Sequence, residues 1–268
     1  MPEKTIPLTG AKAAKPLDST QRGMPALDSI HKTEMFKGKY HIIRTTEVDS
    51  YEKTPAALEL SRVLRTKQPP AAAVASAVRR VPSTGDNFGG TDRKAAKLSI
   101  AKAPIEDFKD VNALIASLPS IDTMKSLKIP TGPTSGRVKQ EMRNIRVSGF
   151  LYAASREADN DFHLIVGPSQ QAPQEEYMTM EVSGLPPQNS PAFGPLNTAR
   201  NAYKKFFGSK LPGAGYHFYQ PPIPVTIEGS LFFDTTHSTG QRPGPPSLKS
   251  RMPTIFEVHP VTSIKLGP

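Results

Sequence analysis

Five segments with strand-like patterns lie in the second half of the chain, and one helical pattern separates the third from the fourth. The segments are residues 144–154, 161–167, 177–183, 223–233 and 254–266, and the helix covers 196–207. In the second segment Phe162 and Leu164 alternate with Asp161 and His163, as is typical of a strand with one face on a core. This order of elements constrains the fold more than any other feature of the sequence.

Five strands with a helix between strands three and four is the order of the OB fold, a five-stranded Greek-key barrel. We therefore predict a mainly β, OB-like barrel over residues 144–268. In that fold the strand order around the wall is 1-2-3-5-4. Strands two, three and five are then neighbours, so side chains on their outer faces lie side by side.

Charged and aromatic residues are divided unevenly between the two halves. Residues 1–143 contain 24 basic and 15 acidic side chains, whereas residues 144–268 contain 10 and 9. Only 5 aromatic residues precede residue 144, and 14 follow it. Because aromatic side chains dominate protein cores, we expect the core in the second half. The first half is predicted to be a basic region, largely disordered and partly helical.

Few elements are predicted within that first half. Residues 1–35 show no sustained period, and residues 40–46 have the β-branched and aromatic character of one strand. Short helices are expected near residues 55–66, where Thr54 and Pro55 provide a start signal, and near residues 105–118.

Composition and missing motifs exclude several classes of protein. The chain has no cysteine, which excludes disulfides, zinc–thiolate sites and cysteine nucleophiles. No stretch approaches the roughly 20 apolar residues that span a bilayer, and the N-terminus lacks the apolar core of a signal peptide. The sequence therefore predicts a cytoplasmic protein without a membrane span. It contains no nucleophile elbow, P-loop or complete dinucleotide fingerprint.

Four runs in the second half resemble an uncharacterised bacterial domain family with an OB-like fold. The runs are GFLYAASREADNDFHLIVG, YMTMEV, VTIEGSLFFDTTH and IFEVHPVTSI. The family repeats a D-x-H-L strand, a lone Glu on the next strand, a G-x-x-F-F-D strand and a closing E-x-H-P-V. Its motif positions match at Asp161, His163, Glu181, Asp234, Glu257 and His259. The resemblance covers about residues 144–266 and implies a barrel, but it supplies no established reaction.

The alternation also predicts which side chains point away from the barrel core. When the apolar residues of strands two, three and five face inward, His163, Glu181, Glu257 and His259 face outward. One interpretation is a divalent-metal site, or a histidine base oriented by a carboxylate, on the outer face. The other is a ladder of cross-strand His–Glu pairs on a solvated surface. The residues alone leave both open.

A long segment joins strands four and five and adds further candidates. Residues 235–253 carry His237, Arg242 and Arg251 among several Pro and Gly residues. In OB folds this connection flanks the ligand face, and long loops without structure of their own are functional or disordered. His237, Arg242 and Arg251 are therefore binding candidates, and a solvated loop is the alternative.

Three functions follow from these patterns. The first is a non-enzymatic binding module that contacts an unknown protein or small ligand through the outer barrel face and the loop at 235–253. The second is a metal-dependent hydrolase using the His/Glu residues of strands two, three and five. The third is nucleic-acid binding through residues 1–143, which is less favoured because the barrel half is nearly neutral. Beyond a divalent metal, no cofactor is predicted.

Overall fold

The computed structural model describes residues 23–49, 85–172, 175–239 and 242–268. The strands are β1 (Ile30–Phe36), β2 (Tyr40–Thr45), β3 (Ile105–Phe108), β4 (Asn144–Arg156), β5 (Phe162–Gly167), β6 (Met178–Val182), β7 (His217–Phe233) and β8 (Phe256–Leu266). The helices are α1 (Lys94–Lys97), α2 (Val111–Ala116), α3 (Ile121–Ser126) and α4 (Phe193–Phe207). Short 3₁₀ turns cover Leu27–Ser29, Lys139–Glu141, Gly208–Lys210, Thr235–Thr239 and Lys249–Arg251.

Five of these strands close into a barrel. The sheet order is β1-β2-β7-β8-β6-β5-β4-β3, and β4 also pairs with β7, which closes the ring β4-β5-β6-β8-β7. β6 and β8 are parallel, while the other neighbours in the ring are antiparallel. The helix α4 lies between β6 and β7 in the chain. The predicted mainly β, OB-like barrel and its 1-2-3-5-4 strand order are confirmed.

The barrel interior is filled by the apolar side chains that alternate along each strand. Phe162 and Leu164 of β5 belong to this core, together with Met180 of β6 and Val258 of β8. Tyr203 of α4 packs against them. Fully burying each such side chain stabilises the fold by about 1.5–3 kcal/mol. This packing sets the register of β5, β6 and β8, because a shift of one residue would exchange their two faces.

Strands from the first half of the chain extend the same sheet. β1 and β2 form an antiparallel hairpin whose second strand pairs with β7, and β3 runs parallel to β4. The sequence indicated no element before residue 36, because β1 is an edge strand whose central residues are polar and mostly exposed and show no apolar alternation. Three strands of the first half are thus part of the barrel sheet.

The helices differ from the prediction in the first half of the chain, where neither α1 nor α3 was expected. A single helix was expected near residues 105–118, but Ile105–Phe108 pairs with β4 as a strand and the helix begins only at Val111. Asp110 fixes this start, because its side chain accepts a 2.8 Å hydrogen bond from the backbone N–H of Ala113. The helix expected near residues 55–66 lies outside the described residues. Among those described, no helix has the length and hydrophobicity needed to cross a membrane.

Candidate metal centre

Histidines and carboxylates line the outer face of β5, β6 and β8. His163 lies directly across from Glu181 in the β5–β6 ladder, and its Nδ1 is 3.4 Å from Oε1 of Glu181. The other carboxylate oxygen of Glu181 lies 2.6 Å from Nδ1 of His259, and Oε2 of Glu257 lies 3.7 Å from the same nitrogen. The structure therefore brings together all four residues that the strand pattern placed on one face.

Three further predicted residues join this cluster. Nε2 of His259 lies 3.5 Å from Oδ2 of Asp161. At the end of β7, Oδ2 of Asp234 lies 3.4 Å from Nε2 of His237, and these two residues offer donor atoms within 4.8 Å of one from Glu257. We call the seven residues the polar layer: Asp161, His163, Glu181, Asp234, His237, Glu257 and His259.

The polar layer lies outside the barrel but is closed off from solvent. Asp161 and His259 are 0% exposed, and the most exposed members, Asp234 and His237, reach only 7%. The alternative of a ladder on a solvated surface is therefore wrong. Other parts of the chain cover this face. Ile165, which shares the outer face of β5 with His163, is buried in an apolar cluster of that cover.

One side of the cover is built from the chain before the barrel. The ring of Phe232 lies 5.5 Å from that of His259. Above Phe232 lie the guanidinium of Arg93, at 4.7 Å from the ring centroid, and Nζ of Lys97, at 5.7 Å. Arg137 donates a 2.7 Å hydrogen bond to the backbone oxygen of His259. Together these contacts close the end of the layer formed by β8.

The long segment between β7 and β8 contributes to the other side of the cover. Leu248 and Met252 are buried in the apolar cluster outside the barrel. The backbone N–H of Gly244 donates a 2.7 Å hydrogen bond to Oδ2 of Asp49, and Ser247 N–H donates one of 3.0 Å to Glu47. The described part of this segment is thus packed against the barrel, and the alternative of a solvated loop is wrong there.

Burial changes the ionisation of the layer. Desolvation raises the pKa of Asp161 and of Glu257 well above the usual carboxyl range, and it raises that of Glu181 as well. The same desolvation lowers the pKa of His259 to about 3, which outweighs the opposing attraction of Asp161. Without a cation, the central members are therefore stabilised in their neutral forms.

In contrast, Lys97 and Asp234 are stabilised in their charged forms. Burial opposes the charge of Lys97, but the carboxylates of Glu181, Asp159 and Asp234 raise its pKa well above the ordinary value. Burial also opposes ionisation of Asp234, yet the attraction of His237 and Lys97 and hydrogen bonds from Thr236 hold its pKa below normal. Lys97 lies outside every sequence motif, which is why it was not predicted.

Several donor atoms of the layer are buried without a hydrogen bond from the described residues. They are both carboxylate oxygens of Glu257 and both ring nitrogens of His259. The carboxyl groups of Asp161 and Glu181 share a hydrogen bond with each other. The 2.6 Å approach of His259 to Glu181 thus lacks hydrogen-bond geometry. Leaving a buried polar group unsatisfied costs about 1–3 kcal/mol. Neutral imidazole and carboxylate oxygen are the donors that bind first-row divalent metals.

His163 is held differently from His259. Its Nδ1 lies 2.5 Å from Oε1 of Glu157, and its Nε2 lies 3.2 Å from the hydroxyl of Thr179. A carboxylate, an imidazole and a hydroxyl in this order resemble a nucleophile relay. Thr179 is fully buried, so its hydroxyl does not reach a substrate in this conformation. Glu157 and Asp49 were not predicted, although with His163 they form a third group of metal-type donors.

Two predicted binding residues lie outside the polar layer. Both Arg242 and Arg251 are exposed. Arg251 forms an ion pair of 2.5 Å with Glu175, and Arg242 donates a hydrogen bond to the backbone oxygen of Met252. The structure therefore does not bring these arginines to the histidines and carboxylates.

An open cleft of about 930 Å³ lies elsewhere on the molecule. Its lining includes Lys109, Ser148, Phe150, Thr226 and Lys265, and none of the predicted site residues contributes to it. The cleft is therefore separate from the polar layer and gives a ligand no access to it.

Comparison of the chain with protein-family models, with curated proteins and with solved structures finds no match in any of the three. The resemblance to the bacterial OB-like family therefore stays a prediction from the residues. What can be said of function depends on the geometry of the polar layer.

Proposed function

We propose that this chain is a binding domain whose ligand is a divalent metal ion, held on the outer face of the barrel by Asp161, Glu181 and His259. Each residue offers one donor atom, and the three atoms lie within 4.8 Å of one another. Metal–ligand distances near 2.0–2.2 Å for N and O donors are compatible with one ion between them. Rigid strands present two of the three donors, which favours a fixed geometry.

The observation that carries the proposal is the state of His259. It is completely buried, and neither ring nitrogen makes a hydrogen bond with the described residues. Buried polar groups in native proteins are almost always hydrogen-bonded. A neutral imidazole, which has one nitrogen with a free lone pair, is arranged here beside two carboxylates as a metal ligand.

The donor set favours a first-row transition metal. A site that combines imidazole nitrogen with carboxylate oxygen suits Mn²⁺, Fe²⁺, Co²⁺ or Zn²⁺ better than Ca²⁺ or Mg²⁺, which prefer oxygen ligands alone. Binding would displace protons from Asp161 and Glu181, because burial raises the pKa of both. We therefore expect affinity to increase with pH.

Burial favours binding over catalysis as the role of the ion. A catalytic metal keeps a position open for water or substrate, whereas every member of the polar layer is at most 7% exposed. This weakens the hydrolase hypothesis. Nucleic-acid binding through residues 1–143, a protein partner and a cytoplasmic location stay predictions from the sequence alone.

Thermal unfolding with and without metal tests the proposal. The EDTA-treated full chain should gain about 2.7 kcal/mol of stability at a metal concentration 100 times Kd, a rise in Tm of about 5–10 °C for a chain of this size. Titration calorimetry should show His259→Gln binding Mn²⁺ or Zn²⁺ at least about 100-fold more weakly, since even an outer partner of a ligand costs 10–100-fold.

The matched control is His41→Gln, which changes an exposed histidine of β2 and should bind like the wild type. Asp161→Asn, which preserves the shape of the side chain, should weaken binding as His259→Gln does. If the wild type binds none of the four metals, or if His259→Gln and Asp161→Asn both bind as tightly as the wild type, the proposal is wrong.

A further inference from the structure

We infer that the polar layer takes a second divalent cation, held by Asp234, His237 and Glu257. This inference rests on the proposed function, because it assigns a further ion to the same layer. Donor atoms of the three residues lie within 4.8 Å of one another, and none of the three belongs to the first site. Asp234 ends the barrel strand β7, His237 lies in the 3₁₀ turn after it, and Glu257 lies on β8.

Glu257 provides the independent evidence that this group binds a cation. It is 1% exposed, and neither carboxylate oxygen accepts a hydrogen bond from the described residues. A buried carboxylate without hydrogen bonds is strongly destabilising unless it is protonated or meets a cation. Glu181 and Asp234 each act on it with negative charge more strongly than Lys97 acts on it with positive charge. A cation between Glu257 and Asp234 would satisfy both.

The charge distribution of the layer also favours cations. The carboxyl groups of Asp161, Glu181, Asp234 and Glu257 are at most 7% exposed. Lys97 acts on all four with its positive charge. One ammonium therefore faces four buried carboxyl groups, and bound cations would reduce this imbalance.

Glu257 lies between the two sites. Its Oε2 is 3.7 Å from Nδ1 of His259, a ligand of the first site, and it also offers a donor atom within 4.8 Å of those of Asp234 and His237. Carboxylates in this position link the ions of two-metal centres, which lie about 3.5–4 Å apart. The second ion would also fix the start of the segment between β7 and β8, because His237 comes from that segment.

Metal content after equilibrium dialysis of the full chain against Mn²⁺ tests the inference. We expect two ions per wild-type chain, and one per chain in His237→Gln, in Asp234→Asn and in His259→Gln. His41→Gln is the control and should retain two. Electron paramagnetic resonance should show two coupled Mn²⁺ ions in the wild type. The coupling should be lost in each single-ion variant, while circular dichroism stays unchanged.

The outcomes separate the two claims. One ion in the wild type that is lost only in His259→Gln would overturn the second site and leave the proposed function intact. No ion in the folded wild type would overturn both. Two ions in both His237→Gln and Asp234→Asn would place the second ion elsewhere. Asp234→Asn keeps the Oδ1 atom that accepts hydrogen bonds from Thr236, so the test does not depend on whether His237→Gln folds.

Discussion

Glu141 and Glu257 are both buried glutamates, but their surroundings are opposite. Glu141 is 0% exposed and accepts four hydrogen bonds: two from Arg93, at 2.6 and 2.7 Å, and one each from the backbone N–H groups of Val138 and Phe233, at 2.8 Å. Glu257 is 1% exposed and accepts none from the described residues. The carboxylate of Glu141 thus has hydrogen bonds and a counter-charge, whereas the carboxylate of Glu257 has no hydrogen bond.

This difference separates a structural role from a binding role. The Arg93–Glu141 pair links the segment before the barrel to the end of β7, since Arg93 also donates a 3.1 Å hydrogen bond to the backbone oxygen of Phe233. The carboxylate of Glu141 therefore needs no further partner. The polar layer, in contrast, keeps donor atoms without partners, and this incompleteness is what makes it a candidate site.

Substituting the two glutamates should give the largest contrast. Glu141→Gln leaves the guanidinium of Arg93 buried without a full counter-charge, and such a loss destabilises a protein by about 3–5 kcal/mol. Glu257→Gln replaces a buried carboxyl group that is already stabilised in its neutral form, so in EDTA it should change the free energy of unfolding by about 1 kcal/mol or less. Urea denaturation measures both values.

Metal sharpens the same comparison. Saturating Mn²⁺ should leave the stability loss of Glu141→Gln unchanged and should enlarge that of Glu257→Gln, because only the second variant removes a proposed ligand. If Glu257→Gln costs as much as Glu141→Gln in EDTA, Glu257 has a structural role in the metal-free protein, and the contrast between the two regions disappears.

A second comparison is between buried histidines. Burial lowers the pKa of His217 to about 4 from 6.5, with a smaller contribution from the positive charge of Arg44. His217 lies at the start of β7, opposite Arg44, and is 5% exposed. Glu34, which would raise its pKa, and His31, which would lower it, also act on the ring.

The unfolded chain therefore binds a proton below pH 6.5 that folded His217 takes up only near pH 4. As the pH falls from 6.5 to 4, the free energy of unfolding should therefore decrease by up to roughly 3 kcal/mol because of this residue. The stability difference between His217→Gln and the wild type should change by this amount between pH 7 and pH 4. EDTA should not alter the change, because His217 is outside the polar layer. A constant difference across the window would show that burial does not hold this imidazole neutral.

The adjacency within the layer was predictable because it depends on local rules. Alternation along a strand assigns the faces, and the order of strands and helix identifies the neighbours. These two facts were sufficient to place His163 beside Glu181, and Glu181 beside His259.

The cover itself was not predictable, because it depends on contacts between distant segments that have no periodic pattern. Arg93 reaches Phe233 across 140 residues, and Gly244 contacts Asp49 across 195. Lys97 comes from a helix of four residues, which is too short to leave a hydrophobic period. Sequence patterns therefore identified the site residues but not their burial or their counter-ion.

The smallest predicted effect concerns the segment between β7 and β8. If a second ion holds His237 against Glu257, metal should reduce local opening of this segment, and trypsin should cleave after the exposed Arg251 several-fold more slowly. Cleavage after Lys128, which is exposed and remote in sequence from the layer's residues, should keep its rate. In His237→Gln metal should no longer protect Arg251, while the first ion still binds. Equal slowing at Arg251 and Lys128 would mean that metal stabilises the whole chain rather than this segment, because global unfolding exposes both bonds together whereas local opening exposes only one.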